Sequence, residues 1–144
     1  MFVVILLLFE SLLFGVLAIA QSDSTSTIVI RITGLSSEQA PVRVAVFNSE
    51  EGWLDDATAV YKTVLDGEGR EREWRIRNVR YGEYAAAVFQ DENRDGKLNR
   101  NFVGIPKEPY GFSRDARGAF GPARWKDAKF VVTTATKELQ IKLK

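Results

Sequence analysis

The chain has 144 residues, the size of one domain, and its 45% hydrophobic content can build a core without disulfides. A formal net charge of +1 gives no reason to expect a nucleic-acid partner. Cysteine and histidine are both absent, which excludes Ser-His-Asp and Cys-His catalysis and leaves zinc, haem and copper without their usual ligands. What remains is the chemistry of carboxylate, hydroxyl and amine side chains and of cations bound by oxygen.

Residues 1–20 form an almost wholly apolar segment that ends in Ala18-Ile19-Ala20. Such a run, closed by small residues, is typical of a signal peptide cleaved after Ala20, which predicts an exported protein of the periplasm or the extracellular space. The mature chain then carries 20 basic and 18 acidic residues, net +2. The alternative is an uncleaved membrane anchor, which the carboxylate of Glu10 inside the run disfavours.

Short strands separated by turn residues account for most of residues 28–144, after a polar tether at 21–27. Ile28, Ile30 and Ile32 alternate with other residues, which is the period of a half-buried strand. The predicted strands span 27–33, 42–47, 57–65, 71–79, 85–89, 128–134 and 139–143. Seven strands with no long helix predict a single all-β domain, a β-sandwich of immunoglobulin-like or transthyretin-like type, with a small barrel as the alternative.

Two features of the strand region have competing interpretations. Trp53 follows the second strand and is expected to pack onto the core, although a place on a ligand surface is the alternative. Five arginines between Arg70 and Arg80 form a basic stripe that resembles a nucleic-acid surface. Because glutamates lie among them, the stripe is better explained as a solvated strand face with cross-strand ion pairs, and no nucleic acid is expected.

The 91–113 loop is the stretch that strand and turn patterns do not explain. Asp91, Asn93 and Asp95, followed by Gly96, match the first half of an EF-hand calcium loop, D-x-N-x-D-G. In that loop, oxygen ligands at alternate positions converge on one Ca²⁺ ion, and the glycine allows a sharp bend. The spacing therefore predicts a calcium or other hard-cation site.

The remainder of the loop departs from an EF-hand. Lys97 offers its backbone carbonyl and Asn99 its side chain, but Phe102 occupies the place of the bidentate glutamate. A looser site needs Glu108 or Asp115 to complete the shell. The alternative is an Asx-turn loop whose carboxylates accept backbone N–H groups. The predicted metal ligands are Asp91, Asn93, Asp95, Lys97, Asn99 and Glu108.

The second half of the loop, rich in proline, glycine and aromatic residues, supplies a predicted binding surface of Lys107, Tyr110 and Phe112. Five further motifs are specific: Tyr84-Ala85, Asp91-Glu92-Asn93, Asp95-Gly96-Lys97, Gly104-Ile105-Pro106-Lys107-Glu108 and Tyr110-Gly111-Phe112-Ser113. With these motifs the chain resembles, over about residues 28–143, the family called domain of unknown function 2141 (DUF2141). The resemblance implies an exported bacterial β-domain and brings no activity. Gln90 stands where that pattern commonly has histidine, so a site that used the histidine is altered here.

Two hypotheses about function follow. The first is an exported binding or structural module whose functional surface is the 91–113 loop, with Ca²⁺ as the only expected cofactor. Its partner is expected to be an envelope protein or a glycan, and a membrane only if residues 1–20 are retained. The second is an enzyme acting on glycans or other envelope substrates, with Asp91, Asp95 and Glu108 as acid, base or metal ligands.

Overall fold

The computed structural model describes residues 24–144, which form a β-sandwich of eight strands in two sheets. The predicted leader, its cleavage site and the alternative anchor lie outside the described residues. None of the helices in the described part of the chain is long and apolar enough to cross a bilayer. The elements in chain order are β1 (Thr25–Thr33), β2 (Val42–Phe47), a 3-10 turn (Asp56–Thr58), β3 (Tyr61–Leu65), β4 (Arg72–Arg80), β5 (Gly82–Gln90), β6 (Tyr110–Phe112), a second 3-10 turn (Ser113–Asp115), α1 (Trp125–Ala128), β7 (Phe130–Val132) and β8 (Thr136–Lys142).

The small sheet has three strands, with β1 between β4 and β8. β1 is antiparallel to β4 and parallel to β8, and it begins at Thr25, inside the predicted tether of 21–27. The large sheet has five strands in the order β3-β2-β5-β6, and β7 pairs with the N-terminal end of β5. The predicted all-β sandwich is confirmed, with eight strands instead of seven.

The main core lies between the two sheets because apolar residues alternate along the strands that face each other. Ile28, Ile30 and Ile32 of β1 are fully buried, as their alternation predicts. Burying an aliphatic side chain of this size stabilises a fold by about 1.5–3 kcal/mol. The core residues shared by the two sheets are Ile28, Ile30, Ile32, Leu35, Val42, Val44, Val46, Ile76, Val79, Tyr84, Ala86, Val88, Phe130, Val132, Ile141 and Leu143.

The large sheet also buries part of its outer face, the face turned away from the small sheet. Trp53 packs into this outer cluster, with ring centroids 5.2 Å from Phe47 and 5.8 Å from Trp125. Its indole Nε1 donates to the carbonyl of Ala123 at 2.7 Å. The prediction that Trp53 packs onto a core is therefore confirmed. The buried members of the outer cluster are Phe47, Ala85, Phe112, Ala116, Ala123, Trp125 and Ala128.

Two predicted strands are shorter than expected. The strand predicted at 57–65 begins only at Tyr61, because the carboxylate of Asp55 accepts the amide of Ala57 at 3.0 Å and starts a 3-10 turn. The strand predicted at 128–134 is reduced to β7, since its first residue belongs to the short helix α1. In both cases a turn of helix takes residues whose side chains alone are compatible with a strand.

β6 was not predicted and lies within the stretch expected to be one long loop. Gly111 permits this strand, because a Cβ atom there would lie 2.9 Å from Cγ2 of Ile141 and 3.1 Å from the carbonyl oxygen of Lys142. Only glycine lets the chain pass so close to β8. The loop predicted at 91–113 therefore ends before Tyr110, and its last residues belong to the large sheet.

The outward face of β4 carries ion pairs, as predicted for the basic stripe. Glu73 accepts from Arg31 of the neighbouring β1 at 3.2 Å and from Arg75 at 2.8 Å. Arg72 differs from the rest of the stripe, because it is buried and donates to the carbonyl oxygens of Gly67 at 2.6 Å and Gly69 at 2.7 Å. One arginine of the stripe thus holds the turn before β4.

Candidate functional site

Asp91 is the centre of the predicted site, and it is fully buried at the end of β5. Its Oδ1 accepts the amide of Asp95 at 3.1 Å. Its Oδ2 accepts the amide of Gly96 at 2.9 Å and Nε of Arg43 at 2.6 Å. These three hydrogen bonds, one of them from a guanidinium, offset the cost of burying a polar side chain. Asp91 therefore closes the turn that follows it and fixes one guanidinium of β2.

Gly96 meets two requirements of this arrangement. Its φ of +83° lies in the left-handed region that favours glycine. A Cβ atom at this position would also lie 3.4 Å from Nη2 of Arg43. The glycine of the D-x-N-x-D-G motif thus bends the chain and leaves room for a guanidinium.

The exposed part of the motif is a second hydrogen-bonded cluster around Asp95. Its Oδ2 accepts the side-chain amides of Asn99 at 2.8 Å and Asn93 at 3.1 Å, and its Oδ1 accepts the backbone amide of Lys97 at 2.9 Å. The hydrogen bond from Asn99, followed by that from Lys97, holds the pKa of Asp95 below its ordinary value. Oδ1 of Asn99 is buried and has no donor within residues 24–144.

Glu108 is buried and joins the two halves of the loop. Its Oε1 accepts the backbone amide of Glu92 at 2.9 Å, and its Oε2 accepts that of Asn99 at 2.9 Å. Glu108 therefore reaches the first half of the loop, as it must to complete the coordination shell of a cation. Its two oxygens are bonded there to backbone N–H donors. Asp115 does not join it, since its Oδ1 accepts the amide of Lys142 at the end of β8.

The predicted metal ligands thus form one network in which the loop's own N–H groups occupy the carboxylate oxygens. This is the geometry of the Asx-turn alternative. No group of three or more acidic, histidine or cysteine side chains in the described chain has a metal-binding arrangement. Whether a cation enters the network on the exposed Asp95 side stays a prediction. Lys97 takes part through its backbone amide.

Gln90, at the position where the resembled pattern carries histidine, is a structural residue here. Its side chain is fully buried, and Oε1 accepts the amide of Ser36 at 2.8 Å and its hydroxyl at 3.0 Å. Its Nε2 donates to the carbonyl of Ser37 at 2.6 Å. Gln90 therefore fastens the turn between β1 and β2 to the end of β5.

The outer face of the large sheet also holds an open groove of about 510 Å³, which sequence reasoning missed. A sequence pattern could have indicated this groove, because β2 after Arg43 and β5 after Glu83 are apolar on both faces. The first half of the 91–113 loop forms one side of this groove. The outer groove is lined chiefly by Arg43, Ala45, Leu54, Asp56, Lys62, Val64, Ala87, Phe89, Gly96, Leu98, Arg100, Tyr110, Phe112 and Pro122.

The predicted binding surface is divided between the groove and the solvent. Tyr110 and Phe112 both line the outer groove, and Phe112 is at the same time buried in the outer cluster. The guanidinium of Arg117 lies over the Tyr110 ring at 5.6 Å. Lys107 is exposed and is not part of the groove lining. The structure therefore joins the two aromatic residues to Arg43, a residue that no sequence pattern singles out.

Comparison with known proteins identifies a family and leaves the activity open. The family model described as "Uncharacterized protein conserved in bacteria (DUF2141)" matches residues 30–140. No curated protein and no solved structure matches the chain. The matched range includes part or all of each of the eight strands, the 91–113 loop and the residues that line the outer groove. The chain therefore belongs to the DUF2141 family.

Proposed function

We propose that this protein is a binding module that takes a small amphipathic anion in the outer groove, with the 91–113 loop as one wall of the site. The volume of about 510 Å³ falls within the range of small-molecule sites, roughly 300–1,000 Å³. Its floor includes Ala87 and Phe89 of β5 and Val64 of β3. An apolar floor with a few polar groups at its rim is the common composition of such sites.

The orientation of Arg43 is the observation that carries this proposal. Asp91 holds Nε of Arg43, and no residue of the described range 24–144 accepts from its two terminal nitrogens. The side chain is 34% exposed and lines the groove. A guanidinium held in this way offers two parallel donors, which suit a carboxylate, sulfonate or phosphate.

The other charges of the groove favour the same ligand. Arg100 lines the groove, and the one acid in its lining, Asp56, is paired with Lys62 at 2.8 Å. A ligand whose ring or alkyl part lies on Phe89 and Tyr110 brings its anionic group to the Arg43 end. The Asp-rich loop then serves the binding site indirectly, because it holds the guanidinium in place.

A matched pair of dyes tests this proposal. Anilinonaphthalene sulfonate and the neutral phenylnaphthylamine share an aromatic body and differ in charge, and we expect the anion to bind more tightly. Val64→Glu introduces a carboxylate into the groove and should lower the affinity for the anionic dye by about tenfold or more. Val131→Glu is the control, because Val131 is similarly exposed, at 48% against 44%, on β7 away from the groove. An equal loss of affinity for the anionic dye in both variants contradicts the proposal.

Calcium binding by the exposed side of the loop is a second candidate, favoured by one observation. Oδ1 of Asn99 is buried and has no donor in the described part of the chain, and the same side chain bonds to the carboxylate of Asp95. Oxygen atoms of this kind are calcium ligands, and an incomplete extracellular site has a Kd of roughly 10⁻⁴–10⁻³ M. Millimolar calcium should then raise the Tm and shift the amide signals of residues 91–99, and Asp95→Asn should abolish both effects. Unchanged signals rule the site out.

The enzymatic alternative has less support than either binding proposal. Asp91 and Glu108 are both buried, and each uses its two oxygens to accept hydrogen bonds from the loop or from Arg43. Of the three carboxylates suggested as acid, base or metal ligands, Asp95 alone is exposed. A general acid or base needs contact with its substrate, which these bonds leave little room for.

A further inference from the structure

A short hairpin within the 91–113 loop presents unusually exposed apolar side chains. Arg100 and Pro106 pair across its base. Phe102 is 99% exposed, Val103 61% and Ile105 59%, and none of the three lines the outer groove. Single exposed apolar residues are common, but three within four positions on one hairpin tip form a patch that indicates an interaction site.

The 100–106 hairpin is ordered by its own hydrogen bonds, so the apolar side chains are held in place. Oδ1 of Asn101 accepts the amides of Val103 at 3.0 Å and Ile105 at 2.9 Å. The amide of Asn101 donates to the carbonyl of Ile105 at 2.9 Å, and that of Gly104 donates to the carbonyl of Asn101 at 3.0 Å. Nη1 of Arg100 donates to the carbonyl of Gly104 at 3.0 Å.

This bonding pattern matters for the kind of partner. Backbone groups that enter the apolar part of a bilayer lose water, so they must be bonded within the protein. The amides of Val103, Gly104 and Ile105 meet that requirement before any contact is made.

The charge around the tip selects the type of lipid. Residues 97–107 contain Lys97, Arg100 and Lys107 and no aspartate or glutamate. Basic residues beside an inserted apolar segment attract anionic lipid headgroups, and the attraction decreases with salt. Apolar residues flanked by cations are the composition of segments that lie in a bilayer interface.

We propose that the 100–106 hairpin docks the protein onto an anionic lipid bilayer. Phe102, with Val103 and Ile105, enters the boundary between headgroups and acyl chains, while the flanking cations contact the phosphates. The proposal is independent of ligand binding in the outer groove and of residues 1–20. It places the groove mouth, which Leu98 and Arg100 line, near the membrane surface.

A site-specific fluorophore tests the proposal in the full chain. Because the chain has no cysteine, Val103→Cys can be labelled at that one position with an environment-sensitive nitrobenzoxadiazole dye. Vesicles of phosphatidylcholine mixed with phosphatidylglycerol should increase its emission intensity several-fold and shift the emission maximum to shorter wavelength. Phosphatidylcholine vesicles alone should have a much smaller effect, and high salt should reverse most of the change.

Two comparisons make the result decisive. The same dye at Val131→Cys, on β7, should not respond, which separates the tip from insertion elsewhere in the chain. Adding Phe102→Ser to the labelled Val103→Cys protein should remove most of the response, whereas Phe120→Ser, at an equally exposed phenylalanine, should leave it intact. An unchanged emission at position 103, or an equal response at 131, overturns the proposal. A dye at position 103 whose emission changes when another protein is added, but not when vesicles are added, also overturns the proposal.

Discussion

The outer face of the large sheet has one half that is covered by other residues and one half that is open. In one half, Trp53 and Trp125 cover the sheet, and their rings lie 5.8 Å apart above Phe47 and Ala85. In the other half the same strands leave Ala87 and Phe89 in an open groove. Both halves are built from alternate residues of β2 and β5, so strand sequence alone does not distinguish them. The difference comes from Trp53, in the connection between β2 and β3, and from the 113–128 segment, which together cover only one half of the sheet.

The covered half of the sheet contributes to stability, and we propose that the open half serves binding. Aromatic residues packed edge to face on a sheet contribute through burial and through their ring contacts. An uncovered apolar sheet surface costs free energy in water, and a protein that keeps one commonly uses it for a ligand. Replacing equivalent residues in the two halves should therefore separate stability from binding.

The largest expected effect is on the covered half. Trp125→Ala empties a site that is 94% buried, since the residue is only 6% exposed, and should lower the free energy of unfolding by about 3–5 kcal/mol. Phe89→Ala in the groove should cost much less and should instead weaken the anionic dye. Urea unfolding and dye titration of both variants measure the two effects. A similar stability loss in both would erase the distinction between the halves.

The next effect concerns the link between the loop and the groove. Asp91→Ala leaves the amides of Asp95 and Gly96 and the guanidinium of Arg43 without their acceptor, which should cost about 2–4 kcal/mol. Because Arg43 also loses its orientation, anion binding should fall even in conditions where the protein stays folded. Glu108→Gln is the control, since it disturbs the loop without touching Arg43. If it weakens the dye as strongly, Arg43 is not the link.

The smallest effect is a pH dependence of the loop. Hydrogen bonds from Asn99 and Lys97 hold the pKa of Asp95 below its ordinary value of 3.8. A lowered pKa means that folding favours the ionised form, so the contribution is complete above the ordinary value and is lost as the pH falls through the folded-state pKa. NMR titration of the Asp95 carboxyl between about pH 5 and pH 2 measures it directly. Asn99→Ala should return that pKa towards the ordinary value, and an unchanged midpoint contradicts the assigned cause.

Much of the fold could be predicted because apolar and other residues alternate along the strands. Ile28, Ile30 and Ile32 of β1 and Ile141 of β8 are buried where a period of two places them. β6 could not be predicted in this way, since it has three residues and depends on Gly111 passing close to β8, some thirty positions later in the chain. Short strands held by distant neighbours leave little periodic signal.

Sequence spacing indicated which loop residues meet, but not all of their partners. The acidic residues of the D-x-N-x-D-G motif and Glu108 do meet in one network, as their spacing indicated. What the spacing could not give was the partner of Asp91, because Arg43 lies 48 residues earlier in the chain. A motif shows which oxygens converge, whereas the choice among a metal ion, an amide and a guanidinium depends on the tertiary structure.

The parallel pairing of β1 with β8 has a consequence for the order of folding. The first described strand is completed only by the last one, and the amide of Leu143 still donates to the carbonyl of Thr33 at 2.9 Å. Until β8 has been synthesised, β1 has an open edge, and the small sheet has two strands of its three. Contacts this distant in sequence slow folding and expose strand edges to other chains. The domain should therefore complete its core late, and loss of its final residues should lead to aggregation rather than to a smaller stable fold.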